Sequence, residues 1–197
     1  MNNITRNEAR VVDFLVRNFK ERNSINQIGK RLGLSPNGIY KILKKLEKIN
    51  AVKSERIGNA IYYSVCLNDA FGKGLAEFIL VQNDLSTYAE VQSENLLPLK
   101  GIALSCILFG SAVKKGRESK DIDVLLIIEK RDYNKVRKKI QEIQELNPKR
   151  IHDIIMVKGD LAKNLKKNND AMIDMLKHGW VLWGPEIIVE EIKNGSS

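Results

Sequence analysis

The sequence has little cysteine and no long apolar run. Its 197 residues include only two cysteines, Cys66 and Cys106, which are too few for a disulfide framework or a four-thiolate zinc site. The longest apolar stretch, residues 101–111, is too short to cross a bilayer, and the polar first residues lack the apolar core of a secretory signal. We therefore expect a cytoplasmic protein with reduced thiols and no contact with membranes.

Negative charge is scarce in the first third of the chain. The formal net charge is +9, and residues 1–68 hold 13 Lys and Arg against 5 Asp and Glu, whereas the other residues hold 20 and 19. A hydrophobic content of 43% is enough for a core, so wholesale disorder is excluded. A basic domain joined to a near-neutral one favours a polyanion-binding module attached to a second domain. A solvated lysine-rich surface is the alternative that charge alone leaves open.

Three helix starts follow one another in this basic segment. Ser35 is a good cap residue and is followed by Pro36 at the first helical position, while Gly33 permits the left-handed backbone that ends a helix. Two further starts have capping-box spacing: Thr5 with Glu8, and Ser24 with Gln27. Residues 24–49 are therefore predicted to form a helix, a tight turn and a second helix, which is the helix-turn-helix pattern.

The third predicted helix has two chemically different faces. An apolar stripe recurs at helical spacing: Ile39, Ile42, Leu43, Leu46 and Ile49. The opposite face is polar and basic: Asn37, Lys41, Lys44 and Lys48, with Lys45 beside them and Tyr40 near the edge. Such a face suits the major groove of DNA, because lysines meet phosphates and Asn or Tyr can reach base edges. An ordinary solvated helix face is the alternative.

A hairpin pattern follows the three helices. Two short runs, residues 51–57 and 60–66, flank the turn signal Gly58-Asn59. Three helices followed by a hairpin resemble the winged helix-turn-helix family over about residues 4–68. The resemblance implies that the third helix reads DNA and that the hairpin is the wing, so its DNA-binding residues would be Asn37, Tyr40, Lys41, Lys44, Lys45, Lys53 and Arg56, together with Asn59. Some winged domains bind RNA or protein instead, and the sequence leaves this open.

The rest of the chain begins with predicted helices and continues with strand-like runs. Residues 69–97 are predicted to form a helical connector that ends before Pro98. A helix-spaced apolar set over residues 133–143 lies between the second and third of the runs that follow. Each run has a polar group beside it: residues 102–109 before Gly110-Ser111, residues 124–128 after Asp121-Ile122-Asp123, and residues 151–157 around Asp153.

These polar groups are of the types that bind phosphate and divalent metal. Asp121 and Asp123 are two apart in a strand, so they project to one face and repel each other unless a cation lies between them. Magnesium takes oxygen ligands of this kind. Gly110 lets the backbone approach a ligand closely, and Ser111 offers a hydroxyl and an amide at a predicted helix start, where phosphate binds well. Asp153, in a neighbouring strand, could complete a metal pair of the kind used in phosphoryl-type transfer.

The order and spacing of these groups match a known signature. Phe109-Gly110-Ser111, then nine residues, then Asp121-Ile122-Asp123-Val124 resemble the polymerase-β-like nucleotidyltransferases, in particular their small members, over about residues 86–190. The resemblance implies a short mixed sheet flanked by helices. It also implies transfer of a nucleoside monophosphate from an NTP to an acceptor, with release of pyrophosphate.

The same resemblance implies a role for each matching residue. Gly110 and Ser111 would hold the triphosphate, and Asp121 and Asp123 would bind Mg²⁺ or Mn²⁺. Asp153 would join the metal site and help to activate the acceptor oxygen. His152 neighbours Asp153 but points to the opposite face of its strand, and we assign no catalytic role to it or to His178.

We therefore expect an α+β protein that joins a winged helix to a nucleotidyltransferase-type domain. The expected function is metal-dependent transfer from an NTP, first of all ATP, together with DNA binding. A helical protein encoded nearby, as in the toxin–antitoxin pairs of this family, and a homodimer are further partners that we consider. The alternative is a transcription regulator or antitoxin-type protein whose transferase fold only senses nucleotide. The expected boundaries are a winged helix over residues 1–68, a helical connector over 69–97, the transferase-like domain over 98–193 and a disordered tail over 194–197.

Overall fold

A computed structural model describes residues 4–82 and 87–196 and shows a mixed α+β protein with two small sheets. The expected α+β class is therefore confirmed. The described residues form two compact units that divide between Ile79 and Leu80. Within the described ranges, no helix combines the length and the apolar character that crossing a bilayer would require.

The N-terminal unit contains three helices and a three-stranded sheet. The sheet has the order β1-β3-β2, and both of its strand pairings are antiparallel. A further helix, α4 (Ala70–Leu80), follows the sheet and crosses the division between the units. The elements that precede it are α1 (Arg6–Arg17), β1 (Asn23–Ser24), α2 (Ile25–Leu32), α3 (Pro36–Lys48), β2 (Val52–Ile57) and β3 (Ala60–Val65).

The predicted helix starts of this unit are confirmed. Glu8 accepts the N–H of Thr5 at 2.8 Å, and Gln27 accepts the N–H of Ser24 at the same distance, so both capping boxes form. The Ser35 hydroxyl accepts the N–H of Gly38 at 3.1 Å and caps α3. The apolar stripe of α3 then packs into a core made by all three helices, which includes Val11, Leu15, Ile28, Ile39, Leu43 and Leu46.

Glu8 is a charged residue within this packing. Only 4% of it is exposed, and its carboxylate is 2.8 Å from the amine of Lys45 on α3. Burial of Glu8 opposes its ionisation, but the bonds from Lys45 and Thr5 together outweigh that effect and lower the pKa of Glu8. The carboxylate therefore links the start of α1 to α3.

The C-terminal unit is built on a four-stranded sheet in the order β6-β5-β4-β7. Strands β5 and β6 are parallel, and β4 pairs antiparallel with both β5 and β7. The elements are α5 (Thr87–Leu96), β4 (Ser105–Phe109), α6 (Ser111–Lys115), β5 (Asp121–Ile128), α7 (Tyr133–Leu146), β6 (Arg150–Val157), α8 (Asp160–Lys166), α9 (Asp170–His178), β7 (Trp180–Trp183) and α10 (Pro185–Gly195).

Helices from several parts of the chain pack against this sheet. One face of β5 is covered by α5 and α7, whose buried residues join Ile122, Val124 and Leu126 in one core cluster. Elsewhere, α8 packs on β6 and α10 packs on β4. Glu191 of α10 is 3% exposed and accepts the N–H groups of Gly159 and Ala162 at 2.5 and 2.7 Å, which caps the start of α8.

Two parts of the expected domain plan differ from the structure. Helix α5, which we placed in a connector, packs within the C-terminal unit, where Ala89 and Leu96 are buried in its core. Helix α10 runs through Gly195, whereas we expected a disordered tail from residue 194. Burial of Ile188 and Ile192 stabilises this last helix. Residues 83–86 of the predicted connector, and Ser197 of the predicted tail, lie outside the described residues.

The outer edge of β6 is partly closed by side chains. The N–H of Ile151 donates to the Gln144 Oε1 atom at 2.7 Å. At the other end of the strand, the N–H of Val157 donates to the Asp160 carboxylate. The Lys163 amine at 2.8 Å, together with this bond, lowers the pKa of Asp160. Hydrogen-bonding groups at both ends of this edge are thus satisfied within the chain.

We predict that Glu8→Gln lowers the free energy of unfolding by about 1 kcal/mol at neutral pH, because the bond between buried Glu8 and half-exposed Lys45 loses its charge assistance. The folded-state pKa of Glu8 is below its ordinary 4.5, so this stabilisation is present above that pH and is lost as pH falls through the folded value. Urea unfolding from pH 7 to pH 3 should therefore show the two proteins converging. Glu55→Gln, at an exposed position on β2, is the matched control; an equal effect there would refute the role of Glu8.

Candidate functional site

Strand β4 ends at a sharp backbone bend that only glycine fits. Gly110 has φ 70° and ψ −144°, a conformation that side-chain-bearing residues rarely adopt. A Cβ atom at Gly110 would overlap the Asp123 Oδ2 atom. The missing side chain therefore allows the Asp123 carboxylate to lie directly against the backbone where β4 passes into α6.

The two aspartates of β5 lie on one face of the sheet. Asp121 and Asp123 alternate with Ile122, which is 1% exposed and belongs to the core on the other face. The Asp123 side chain is 25% exposed, and Asp121 is also partly exposed. Two carboxylates and the Gly110-Ser111 turn are thus brought together, with Ser111 as the first residue of α6.

Asp153 does not join these residues. In the parallel pairing of β5 with β6, Asp153 is the register partner of Val124, so its side chain lies on the face that α7 covers. There its Oδ2 atom is 2.8 Å from the Nη1 atom of Arg137. This placement corrects our prediction that Asp153 completes the metal site and activates the acceptor. A strand reverses its side-chain direction at each residue, so a one-residue difference in register changes the face.

His152 takes the place beside Asp123 that we had given to Asp153. The two are register partners, and the His152 Nδ1 atom is 3.5 Å from the Asp123 Oδ1 atom. The side chain of His152 is 45% exposed. Its direction relative to Asp153 was predictable from alternation along the strand. Its position next to Asp123 was not, because that depends on how β6 aligns with β5.

The donor set at this face fits a particular kind of metal ion. Within residues 4–82 and 87–196, no three His, Cys, Asp or Glu side chains form a group that could hold a metal. Magnesium is commonly bound by one or two carboxylates together with substrate phosphates and water, and not by a cage of protein ligands. Asp121 and Asp123 therefore fit an ion that arrives with a triphosphate. Exposed basic side chains lie nearby in sequence: Lys114, Lys115, Arg117 and Lys120.

The polar face of α3 is a second group of candidate residues, and its lysines differ from one another. Lys44 is 2.8 Å from Glu47, which also accepts the Ser54 hydroxyl; bonds from Lys44 and then Ser54 lower the pKa of Glu47. Lys45 pairs with Glu8, as described above. In the part of the chain that is described, no ion pair involves Lys41 or Lys48. A shallow cavity of about 460 Å³ on this face is lined by Tyr40, Lys41, Lys44, Lys45 and Lys48.

The remaining predicted DNA-binding residues are also exposed. Asn37 lies in the first turn of α3, and Tyr40 is 47% exposed. Lys53 and Arg56 lie on β2, where the Arg56 Nε atom donates to the carbonyl of Gly58 at 3.4 Å. Strand β2 of the hairpin therefore presents basic side chains to solvent.

Comparisons with known proteins add nothing to this geometry. Neither protein-family models nor curated proteins match the chain. The two groups of candidate residues belong to different compact units, so each is interpreted from its own geometry.

We predict that Gly110→Ala destabilises the protein by about 1–3 kcal/mol, because alanine is strained at this φ and its Cβ would displace the Asp123 carboxylate. The change should appear as a lower urea midpoint with an unchanged m-value. Gly101→Ala is the matched control, since a Cβ there meets nothing within 4 Å. Equal midpoints for Gly110→Ala and the control would mean that the tight packing against Asp123 is absent.

Proposed function

We propose that the C-terminal unit is a metal-dependent nucleotidyltransferase of the polymerase-β-like type. It transfers a nucleoside monophosphate from an NTP to an acceptor. The observation that carries this proposal is the close approach of the Asp123 carboxylate to the Gly110 backbone, with Asp121 on the same face. A glycine-serine turn and two carboxylates at one place suit a triphosphate with its metal ion.

Each residue of this group has a distinct task in the proposed reaction. The Ser111 amide and hydroxyl hold phosphate oxygens of the NTP. Asp121 and Asp123 would hold Mg²⁺ or Mn²⁺, which would neutralise charge on the transferred phosphoryl group. An acceptor oxygen attacks the α-phosphorus and its proton passes to solvent. The bond from the α-phosphorus to the oxygen that bridges it to the β-phosphorus breaks, and pyrophosphate leaves with that oxygen. ATP is the first nucleotide to test.

We further propose that the N-terminal unit is a winged helix-turn-helix domain that binds DNA. Three helices and a three-stranded antiparallel sheet with an exposed hairpin support this interpretation. On α3 we place Asn37, Tyr40, Lys41 and Lys48 first in the contact with DNA, because Lys44 and Lys45 already pair with carboxylates of the same unit. Lys53 and Arg56 would meet the DNA backbone from the wing.

A second candidate function is a DNA-binding regulator, or an antitoxin-type protein, that only senses nucleotide. The observation that favours it is the direction of Asp153, which leaves the candidate site with two carboxylates and His152 in place of the expected third acid. Such a site could bind a metal–nucleotide complex yet lack the group that activates an acceptor. In this function, NTP would change the affinity for DNA, and DNA would change the affinity for NTP by the same factor.

We predict that Asp121→Asn/Asp123→Asn weakens the binding of ATP with Mg²⁺ by about 100-fold or more, because both carboxylates that face the metal are neutralised. Isothermal titration calorimetry measures this without knowledge of the acceptor. Asp153→Asn is the matched control, since Asp153 pairs with Arg137 on the other face.

The control should bind ATP as the unmodified protein does. Equal losses in Asp153→Asn would show that the third acid belongs to the site, in conflict with the β5–β6 register. A folded protein that binds none of the four NTPs would remove both candidate functions of the C-terminal unit.

We also predict that Lys41→Ala/Lys48→Ala weakens binding to a mixed-sequence DNA duplex. The slope of the logarithm of the binding constant against the logarithm of salt concentration should decrease by about 1 for each DNA phosphate that the variant no longer neutralises. Fluorescence anisotropy at several salt concentrations measures both the affinity and this slope.

Lys166→Ala/Lys167→Ala removes the same charge from exposed positions of the C-terminal unit and is the matched control. An unchanged salt slope in the α3 variant would exclude this face from the DNA interface. The same titrations with ATP and Mg²⁺ separate the two candidate functions, since only the regulator requires a change in DNA affinity.

A further inference from the structure

The ammonium of Lys149 is surrounded by main-chain and hydroxyl oxygens. Its Nζ atom donates to the carbonyl oxygens of Arg117 and Ser119, each at 2.6 Å, and to the Ser119 hydroxyl at 3.3 Å. It also lies 4.5 Å from the centroid of the Tyr88 ring. Three acceptors match the three N–H donors of the ammonium, and the ring adds a favourable electrostatic interaction.

The backbone of Lys149 is itself held in place. Its N–H donates to the Asn147 Oδ1 atom at 3.1 Å, and its carbonyl accepts from the Gln144 Nε2 atom at 3.0 Å. Asn147 is 8% exposed and donates to the Gln92 Oε1 atom at 3.0 Å. The lysine is therefore anchored to the end of α7 and, through Asn147, to α5. Both ends of its side chain have defined positions.

The segment that Lys149 contacts joins the two halves of the candidate site. Residues 116–119 lie in the connection between α6, which begins at Ser111, and β5, which begins at Asp121. Ser119 is 4% exposed and its N–H donates to the Gly116 carbonyl at 3.0 Å, so the segment is a tight turn. Ser119 is two residues from Asp121, so the position of this turn helps to set where β5 begins relative to the Gly110-Ser111 turn.

The charged amine of Lys149 points at this turn. No carboxylate lies within ion-pair distance of its amine among the described residues. The positive charge is instead stabilised by carbonyl dipoles. Each of these hydrogen bonds is stronger than one from a neutral donor, because the donor is ionised. Replacing the amine would leave the Arg117 and Ser119 carbonyls without this donor, and the turn would lose the bonds that join it to the start of β6.

We infer that Lys149 is a positioning residue for the nucleotide site. It holds the turn at residues 116–119 so that Asp121 and the Gly110-Ser111 turn keep their separation before the ligand binds. Such preorganisation raises affinity because less ordering is needed on binding. The inference rests on the proposed nucleotide site, but Lys149 itself need not touch the nucleotide.

The experiment compares ATP·Mg²⁺ affinity with local hydrogen exchange in the full chain. Lys149→Met keeps the length of the side chain and removes its donors and charge. We expect its affinity for ATP to fall by about tenfold, and amides of residues 116–120 to exchange faster while those at the centre of β5 keep their protection. Lys158→Met, at an exposed position after the other end of β6, is the matched control and should change neither quantity.

A milder variant guards against failure of Lys149→Met to fold. Lys149→Arg keeps the charge but presents its donors in a planar fork, so both shifts should be in the same direction and smaller. Unchanged affinity in a variant with faster exchange, or unchanged exchange in a variant with lower affinity, would overturn the inference. If the unmodified protein binds no ATP, the proposed nucleotide site is wrong and this inference is wrong with it. If the unmodified protein binds ATP but the Lys149 variants do not show both shifts, only this inference is wrong.

Discussion

The parallel register of β5 against β6 decides which side chains meet at the candidate site. Asp123 is the partner of His152, and Val124 is the partner of Asp153. Since neighbouring residues on a strand point to opposite faces, this alignment places one acid of β6 under α7 and a histidine beside the carboxylates. Two acids and an imidazole form a different chemical group from three acids. Every role that we propose for this site therefore depends on that one alignment.

Local features of the fold were predictable from the sequence, because they depend on residues close together in the chain. The cap at Ser35, the turn at Gly58 and the common face of Asp121 and Asp123 each follow from a spacing of a few residues. The position of Asp153 depends on a pairing between strands that are separated by a whole helix. Spacing along the chain carries no information on that alignment, so the resemblance suggested the wrong face.

Long-range polar interactions were equally invisible in the sequence. The sequence does not distinguish one lysine of the basic segment from another, yet Lys45 forms an ion pair with the buried Glu8, and Lys44 forms one with Glu47. Lys149 likewise resembles any surface lysine until the turn at residues 116–119 is placed beside it. Net charge therefore overstates how many cations of a unit are available to a polyanion. The difference follows from packing, which brings distant carboxylates and carbonyls into reach.

The hydrogen bonds at the outer edge of β6 have a consequence for the behaviour of the protein at high concentration. An edge strand with open N–H groups is a template on which a strand of another molecule can add. Here the Gln144 side chain accepts the N–H of Ile151, and the Asp160 carboxylate accepts that of Val157. An incoming strand would have to displace side chains at both ends before it gained a continuous ladder. The two ends of β6 are thereby protected from intermolecular pairing, which disfavours edge-to-edge addition of a second molecule along this strand.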